Sequence, residues 1–325
     1  MWLGIAIGPT FLKVGVVEND RLVYREVFPL EGRDLTGFLD EVDAVYQRVL
    51  TQFPAQGLGV ALQAILSYPE GVVQHAPQLA FLQGEPLKFH LERRWSRSVV
   101  VASEAQMAAY GEYRLHPEVQ RSQARHLVYL AVENGLSGGV VVDGRPYWGA
   151  HGWAGTIGHI PIQPDGPECT CGRRGCLEAF VTPQGILQRL QSVLWRHPQS
   201  RLRQIRLANL RVEDVLEAAR FGDPAAQEVI EEAAQVLSLG VHMVASLLDP
   251  DVIVVGGSIV GSNDFFVEMV SQRAHAYGPA ESSSTPLILP SHLKYFASVW
   301  GAALAAEMAQ TAGRSSRPSR RKKSP

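Results

Sequence analysis

The chain has 325 residues, 46% of them hydrophobic and 19% charged, a composition that excludes an intrinsically disordered or collagen-like polymer and suits one large or two medium globular domains. The formal net charge is −2, but the last twelve residues hold six positive charges and no negative ones, leaving −8 on the rest and nothing to draw the folded body toward nucleic acid. No apolar run approaches the ~18–20 residues needed to span a bilayer, and the opening "MWLGIAIGPTF" lacks a basic leader and cleavage site, so a cytoplasmic protein without membrane contact is expected.

Residues 2–29 predict a three-stranded meander: a strand at Leu3–Ile7, a Gly-Pro-Thr turn, a strand at Lys13–Val17, the turn "ENDR" and a strand at Leu22–Phe28. In "DLTGFLDEVDAVYQRVLTQF", Leu39, Val42, Val45, Tyr46, Val49 and Leu50 recur at helical spacing, predicting a helix with one buried face. A buried strand "LGVALQAI", a loop, and the strand "SVVVAS" leading into the helix "EAQMAAYGEYRL" follow. Residues 126–148 repeat the opening order with "LVYLAV", "ENGLS", "GGVVVD", "GR" and "PYW", which predicts an internal duplication. Further on, "EEAAQVLSLGVHMVASLLD" reads as a long helix stopped at Asp249-Pro250, because proline cannot continue it. It feeds the parallel-type strand and glycine turn of "VIVVGGS". The expected fold is α/β, with two lobes facing one another across a ligand-binding cleft. The predicted boundaries are 1–118 for the first lobe, completed by a helix at 296–312, then 119–295 for the second, and 313–325 for a basic, disordered tail.

Every cysteine of the chain lies in "HIPIQPDGPECTCGRRGCLE", residues 159–178. Three cysteines do not make a disulfide framework, so a metal or a reactive thiol is the alternative. Cys169, Cys171 and Cys176 with His159 form a Cys3His set suited to tetrahedral zinc. Four protein ligands close the coordination shell and make such an ion structural. Gly172 and Gly175 permit the tight return of the backbone, and Arg173 and Arg174 offset the net −1 of the loaded site.

The stretch "GTIGHIPIQPDGPECTCGRRGCLE" resembles the zinc signature of the ROK family (repressor, open reading frame, kinase): Gly-x-x-Gly-His, then C-x-C-G-x-x-G-C-x-E. The resemblance extends to "APQLAFLQGEPLKFHLERRW" before the catalytic strand, to "DPDVIVVGGSIV" on the adenosine side and to "ASVWGAALAA" as the closing helix. It implies the two-lobed actin/hexokinase-like (ribonuclease H-like) fold, a homodimer, and ATP- and Mg²⁺-dependent phosphorylation of a sugar hydroxyl. It also implies that His159 and Glu178 are held toward sugar hydroxyls by the zinc loop, with further sugar contacts at Ser103, Thr156 and Gln78. The nucleotide would lie against Gly8 and Thr10 of the first loop, Asn134 and Gly135 of the second, and Gly256 and Gly257.

Against that pattern the chemical positions depart. The family's Asp-x-Gly-Gly-Thr-Lys reads Ala6-Ile7-Gly8-Pro9-Thr10-Phe11, which loses the metal-side aspartate, a backbone N–H and the lysine. The second loop, Gly-Thr-Gly in the family, reads Glu133-Asn134-Gly135, and a carboxylate there would repel phosphates by ~1–4 kcal/mol. The Asn-Asp that carries the base reads Ser103-Glu104, and a carboxylate misplaced by over ~1 Å can cost ~100-fold. A competing reading makes Ser103 the N-cap of a helix and Glu104 its dipole partner. Thr156 replaces a hydroxyl-binding glutamate, and Gln78 an asparagine.

Three readings follow: a non-catalytic or weakly active sugar kinase-like protein that binds a sugar or protein partner in a regulatory role; an active ATP-dependent hexose or N-acetylhexosamine kinase using Glu104 as base; and a ROK-type regulator without a helix-turn-helix, whose nucleic-acid contact would fall to the basic tail. The first is the principal expectation from the sequence, and in it zinc is the structural cofactor and ATP with magnesium binds poorly in the family's usual pose.

Overall fold

A computed structural model describes residues 1–257, 259, 264–274 and 286–315 of the chain. In chain order the elements are β1 (Trp2–Ile7), β2 (Phe11–Glu18), β3 (Arg21–Pro29), α1 (Leu35–Gln52), β4 (Gly57–Leu62), β5 (Ile65–Leu66), β6 (Val73–His75), α2 (Leu87–Trp95), β7 (Val100–Ser103), α3 (Glu104–Leu115), α4 (Pro117–Ser122), β8 (Leu127–Val132), β9 (Leu136–Val142), β10 (Arg145–Pro146), α5 (Glu178–Val181), α6 (Pro183–Val193), α7 (Val212–Arg220), α8 (Pro224–Leu248), β11 (Val252–Gly256), α9 (Phe265–Ala274), β12 (Leu287–Pro290) and α10 (Ala297–Ser315). Two compact units result. One holds Met1–Gly111, Trp148–Trp153 and the segment from Phe296 onward; the other holds Glu112–Tyr147 and Ala154–Tyr295.

The first unit is built on a sheet of order β3-β2-β1-β4-β7. β1 pairs antiparallel with β2 and parallel with β4, which pairs parallel with β7. Side chains alternate across a strand, so Leu3, Ile5 and Ile7 join Phe38, Val42 and Val49 of α1 in one buried cluster. The other face meets α10 so closely that a Cβ on Gly4 would stand 2.1 Å from the Val299 carbonyl oxygen. Asp34 caps α1, its carboxylate accepting from the Gly37 amide at 2.8 Å.

The stretch read as a loop after β4 contains the β5–β6 hairpin and helix α2. That helix buries Leu87, Leu91 and Trp95, with Trp95 stacked on Tyr46 at 4.2 Å and its indole N–H donating to Asp43. Its apolar stripe is one residue wide among charged neighbours, so periodicity alone does not reveal it.

The second unit repeats the arrangement as β10-β9-β8-β11-β12, again an antiparallel meander joined to parallel strands. The duplication read in the sequence is therefore present in the strand order. The long helix α8 ends at Leu248 before Asp249-Pro250 and begins earlier than its apolar periodicity indicates, at Pro224, because Asp223 caps it by accepting from the Ala225 and Ala226 amides. Residues 313–315 of the expected tail close α10, and 316–325 lie outside the described residues. Among the described residues no helix is long and apolar enough to cross a membrane.

Candidate functional site

In the first unit, the β1–β2 turn closes with the Gly8 amide donating to the Phe11 carbonyl at 3.0 Å, while the Thr10 carbonyl accepts from Leu30. Ala6 is fully buried and registers directly opposite Lys13 on β2. Facing the same side of the sheet, Lys13 donates through Nζ to Glu104 Oε1 at 2.6 Å, and Ser298 Oγ of α10 donates to the same oxygen at 2.9 Å. Glu104 opens α3, and Ser103 accepts from the Gln106 amide at 3.3 Å, so the capping role read for Ser103 is present. Gln78 is exposed on the 3-10 turn Pro77–Leu82. Lys13 and Ser298 were not among the candidate site residues, and nothing in their local sequence could have marked them: they lie 91 and 194 positions from Glu104.

In the second unit the sulfur and imidazole donors converge. The ligand atoms of His159, Cys169, Cys171 and Cys176 all lie within 4.8 Å of one another. Cys169 Sγ is 3.6 Å from His159 Nδ1, and Cys171 Sγ is 3.7 Å from Cys176 Sγ. A tetrahedron with Zn–S of about 2.3 Å has edges of about 3.8 Å, so the Cys169–His159 and Cys171–Cys176 separations match a zinc-sized ion, and the whole set, within 4.8 Å, lies close to that size. Local structure makes the convergence possible: the Cys169 amide donates to Arg173, and Gly172 and Gly175 adopt φ of +83° and +67°. Burial drives the Cys169 thiol up to about 12 and raises Cys176 as well. Burial opposes ionisation of Cys171 too, but the Arg173 amide and the neighbouring thiols outweigh it and lower that thiol. A cation bound there would supply the charge that lets all three ionise.

Glu178, two residues beyond Cys176, is 7% exposed. Its Oε1 accepts from Thr170 Oγ1 at 2.7 Å and lies 3.5 Å from Cys169 Sγ; its Oε2 accepts from the Leu136 amide at 2.9 Å. The Asn134-Gly135 turn thus abuts this carboxylate, and a Cβ on Gly135 would stand 2.8 Å from Oε2. Glu133 closes the turn by donating its amide to the Gly135 carbonyl. Thr156 precedes the 3-10 turn Ile157–His159. Gly256 ends β11, and Gly257, at φ +96°, packs against the Val132 carbonyl. The structure therefore gathers His159, the three cysteines, Glu178 and the 134–135 turn, and separately gathers Ser103, Glu104 and Lys13.

The sequence profile of the ROK family matches residues 2–309. The chain belongs to the ROK family. Among its ROK relatives, N-acetylmannosamine kinase of Citrobacter koseri is 29% identical over 309 residues, covering 94% of this chain and 98% of that protein. Glucokinase of Halalkalibacterium halodurans is 27% identical over 286 residues, covering 85% and 86%. A ROK glucokinase from Streptomyces griseus, solved with glucose and AMPPNP, superposes with a TM-score of 0.82 at 25% identity over 94% of this chain and 99% of that one. The fold is accordingly the actin/hexokinase-like α/β fold of ROK sugar kinases, and the Cys3His cluster fits the zinc loop read from the sequence.

Proposed function

We propose that this ROK protein phosphorylates a sugar, a hexose or N-acetylhexosamine, from ATP, with Glu104 as the base. Support comes from family membership over nearly the whole chain and from relatives named as kinases of such sugars, which favour this reading over the non-catalytic one that the sequence made primary. The observation that carries it is the carboxylate kept at the head of α3, with Lys13 and Ser298 both bonded to Oε1. Oε2 is then the oxygen that receives the acceptor hydroxyl's proton, while Lys13 and Ser298 fix the carboxylate's orientation. ATP with magnesium, when bound, supplies the phosphoryl group and screens its charge. The first loop offers that metal no carboxylate at Ala6, so the chain's own part is to orient and deprotonate the alcohol.

A second reading, sugar or partner binding without turnover, is favoured by the same ion pair: the Lys13 ammonium at 2.6 Å and the Ser298 hydroxyl at 2.9 Å already occupy one oxygen of the Glu104 carboxylate. Release of ADP is measured with Mg-ATP and glucose, N-acetylglucosamine, N-acetylmannosamine or fructose. The kinase reading expects turnover with at least one sugar and a loss of about 100-fold or more in Glu104→Gln. A sugar that raises the melting temperature while no ADP forms with any of the four establishes the second reading instead.

A further inference from the structure

The metal loop does not end at its four ligands. Thr170 sits between the ligands Cys169 and Cys171, and its hydroxyl donates to Glu178 Oε1 at 2.7 Å. The opposite oxygen of that carboxylate accepts from the backbone amide of Leu136 at 2.9 Å. Leu136 is gripped from a second side by the same loop. Gly158, next to the ligand His159, lies so close that a Cβ there would stand 2.0 Å from the Leu136 carbonyl oxygen. One residue of β9 is thus hydrogen-bonded at its N–H by a group two positions past one ligand, and packed at its C=O against the residue before another. Leu136 is also where β9 begins, directly after the Glu133–Gly135 turn.

These contacts form a continuous path. A bound ion would fix Cys169 and Cys171 and with them the peptide that carries the Thr170 hydroxyl; that hydroxyl holds one oxygen of Glu178, and a carboxylate pinned at one oxygen presents the other in a single direction. Without an ion, the Thr170 backbone would no longer be restrained on both sides, and its hydroxyl would lose the fixed position from which it donates. Buried at 7% exposure with both oxygens engaged, Glu178 would then have to reorient or admit water, and the Leu136 amide would lose its acceptor.

We propose that Glu178 is a positioning residue that transmits metal occupancy of the Cys3His site to the 133–136 turn, with Thr170 as the link. The turn is rigid when the ion is bound and loosened when it is removed. This inference does not depend on the protein being a kinase, because the coupling is read in the turn itself.

The test is hydrogen exchange at the Leu136 amide, followed on the full-length protein by NMR or by mass spectrometry of peptides spanning 133–138. The protein is compared after loading with one equivalent of Zn²⁺ and after stripping with a chelator, with metal content measured in each sample. In the wild type, stripping is expected to accelerate exchange at Leu136 at least tenfold while amides of β8 and β11 stay protected. Thr170→Val is expected to bind Zn²⁺ yet to exchange fast at Leu136 in both states, and Thr170→Ser to restore the metal dependence. Glu178→Ala is expected to exchange fast regardless of metal. A purely structural carboxylate would leave the metal dependence of Thr170→Val like that of the wild type, and that result overturns the proposal. So would equal protection of Leu136 in loaded and stripped wild-type protein, loss of β8 and β11 protection together with Leu136 on stripping, or failure of the wild type to retain Zn²⁺.

Discussion

Lys13 on β2 and Glu104 at the head of α3 form an ion pair at 2.6 Å, with side chains only 11% and 15% exposed. Lys13 stands across the ladder from Ala6. Removing one partner of a mostly buried pair leaves an uncompensated charge. Lys13→Met is therefore expected to destabilise the protein by about 3 kcal/mol, and Glu104→Gln by a similar amount. The double variant is expected to lose less than the sum of the two, since neither charge is then orphaned. Urea unfolding of the four proteins measures this cycle, and additive losses would mean that the pair contributes no coupling.

The Cys3His cluster predicts one equivalent of zinc per chain, read by elemental analysis of protein purified without added metal. Cys176 is fully buried, and Cys176→Ser is expected to drop the metal content severalfold and the stability by about 3 kcal/mol. In a domain of this size that corresponds to roughly 6–12 °C in melting temperature. Unchanged melting with the metal gone would show that the loop is held by protein contacts alone.

The approach of α10 to the first sheet is set by missing side chains. A Cβ on Gly59 would stand 1.9 Å from the Ala302 carbonyl oxygen, a backbone atom that cannot swing away. Gly59→Ala is expected to cost more than about 3 kcal/mol through displacement of the helix. Gly84, at φ +87° with nothing within 4 Å of its Cβ position, supplies the contrast. There alanine meets only backbone strain, about 1 kcal/mol. Thermal unfolding of the two variants gives the ranking.

Acid sensitivity should centre in part on Glu228, which bonds His197 at 2.8 Å and pairs with Arg196 and Arg189. The bond from His197 foremost, against the opposing effect of burial, holds this carboxyl below its ordinary value. A lowered folded-state value means the unfolded chain takes up the proton first. The contribution is complete above the ordinary glutamate value of about 4.3 and is lost as pH falls through the lowered one. The stability gap between wild type and Glu228→Gln should therefore be full near pH 6 and shrink toward pH 3, as measured by urea unfolding across that range. A gap that widens with acid would reverse the sign argued here.

Much was legible in the sequence because it depends on residues near one another along the chain. The alternating apolar runs of the two meanders, the helical stripe of α1, the proline stop after α8 and the donor spacing from His159 to Cys176 each satisfy their physical requirement within about twenty residues. Helix α2 was missed for a local reason, its stripe being too narrow among charges. The Lys13–Glu104–Ser298 cluster and the Glu178–Leu136 bond were decided by the tertiary structure alone. Their partners are separated by 91, 194 and 42 positions, and a hydrogen bond depends on distance in space, which only the path of the strands and helices between them sets.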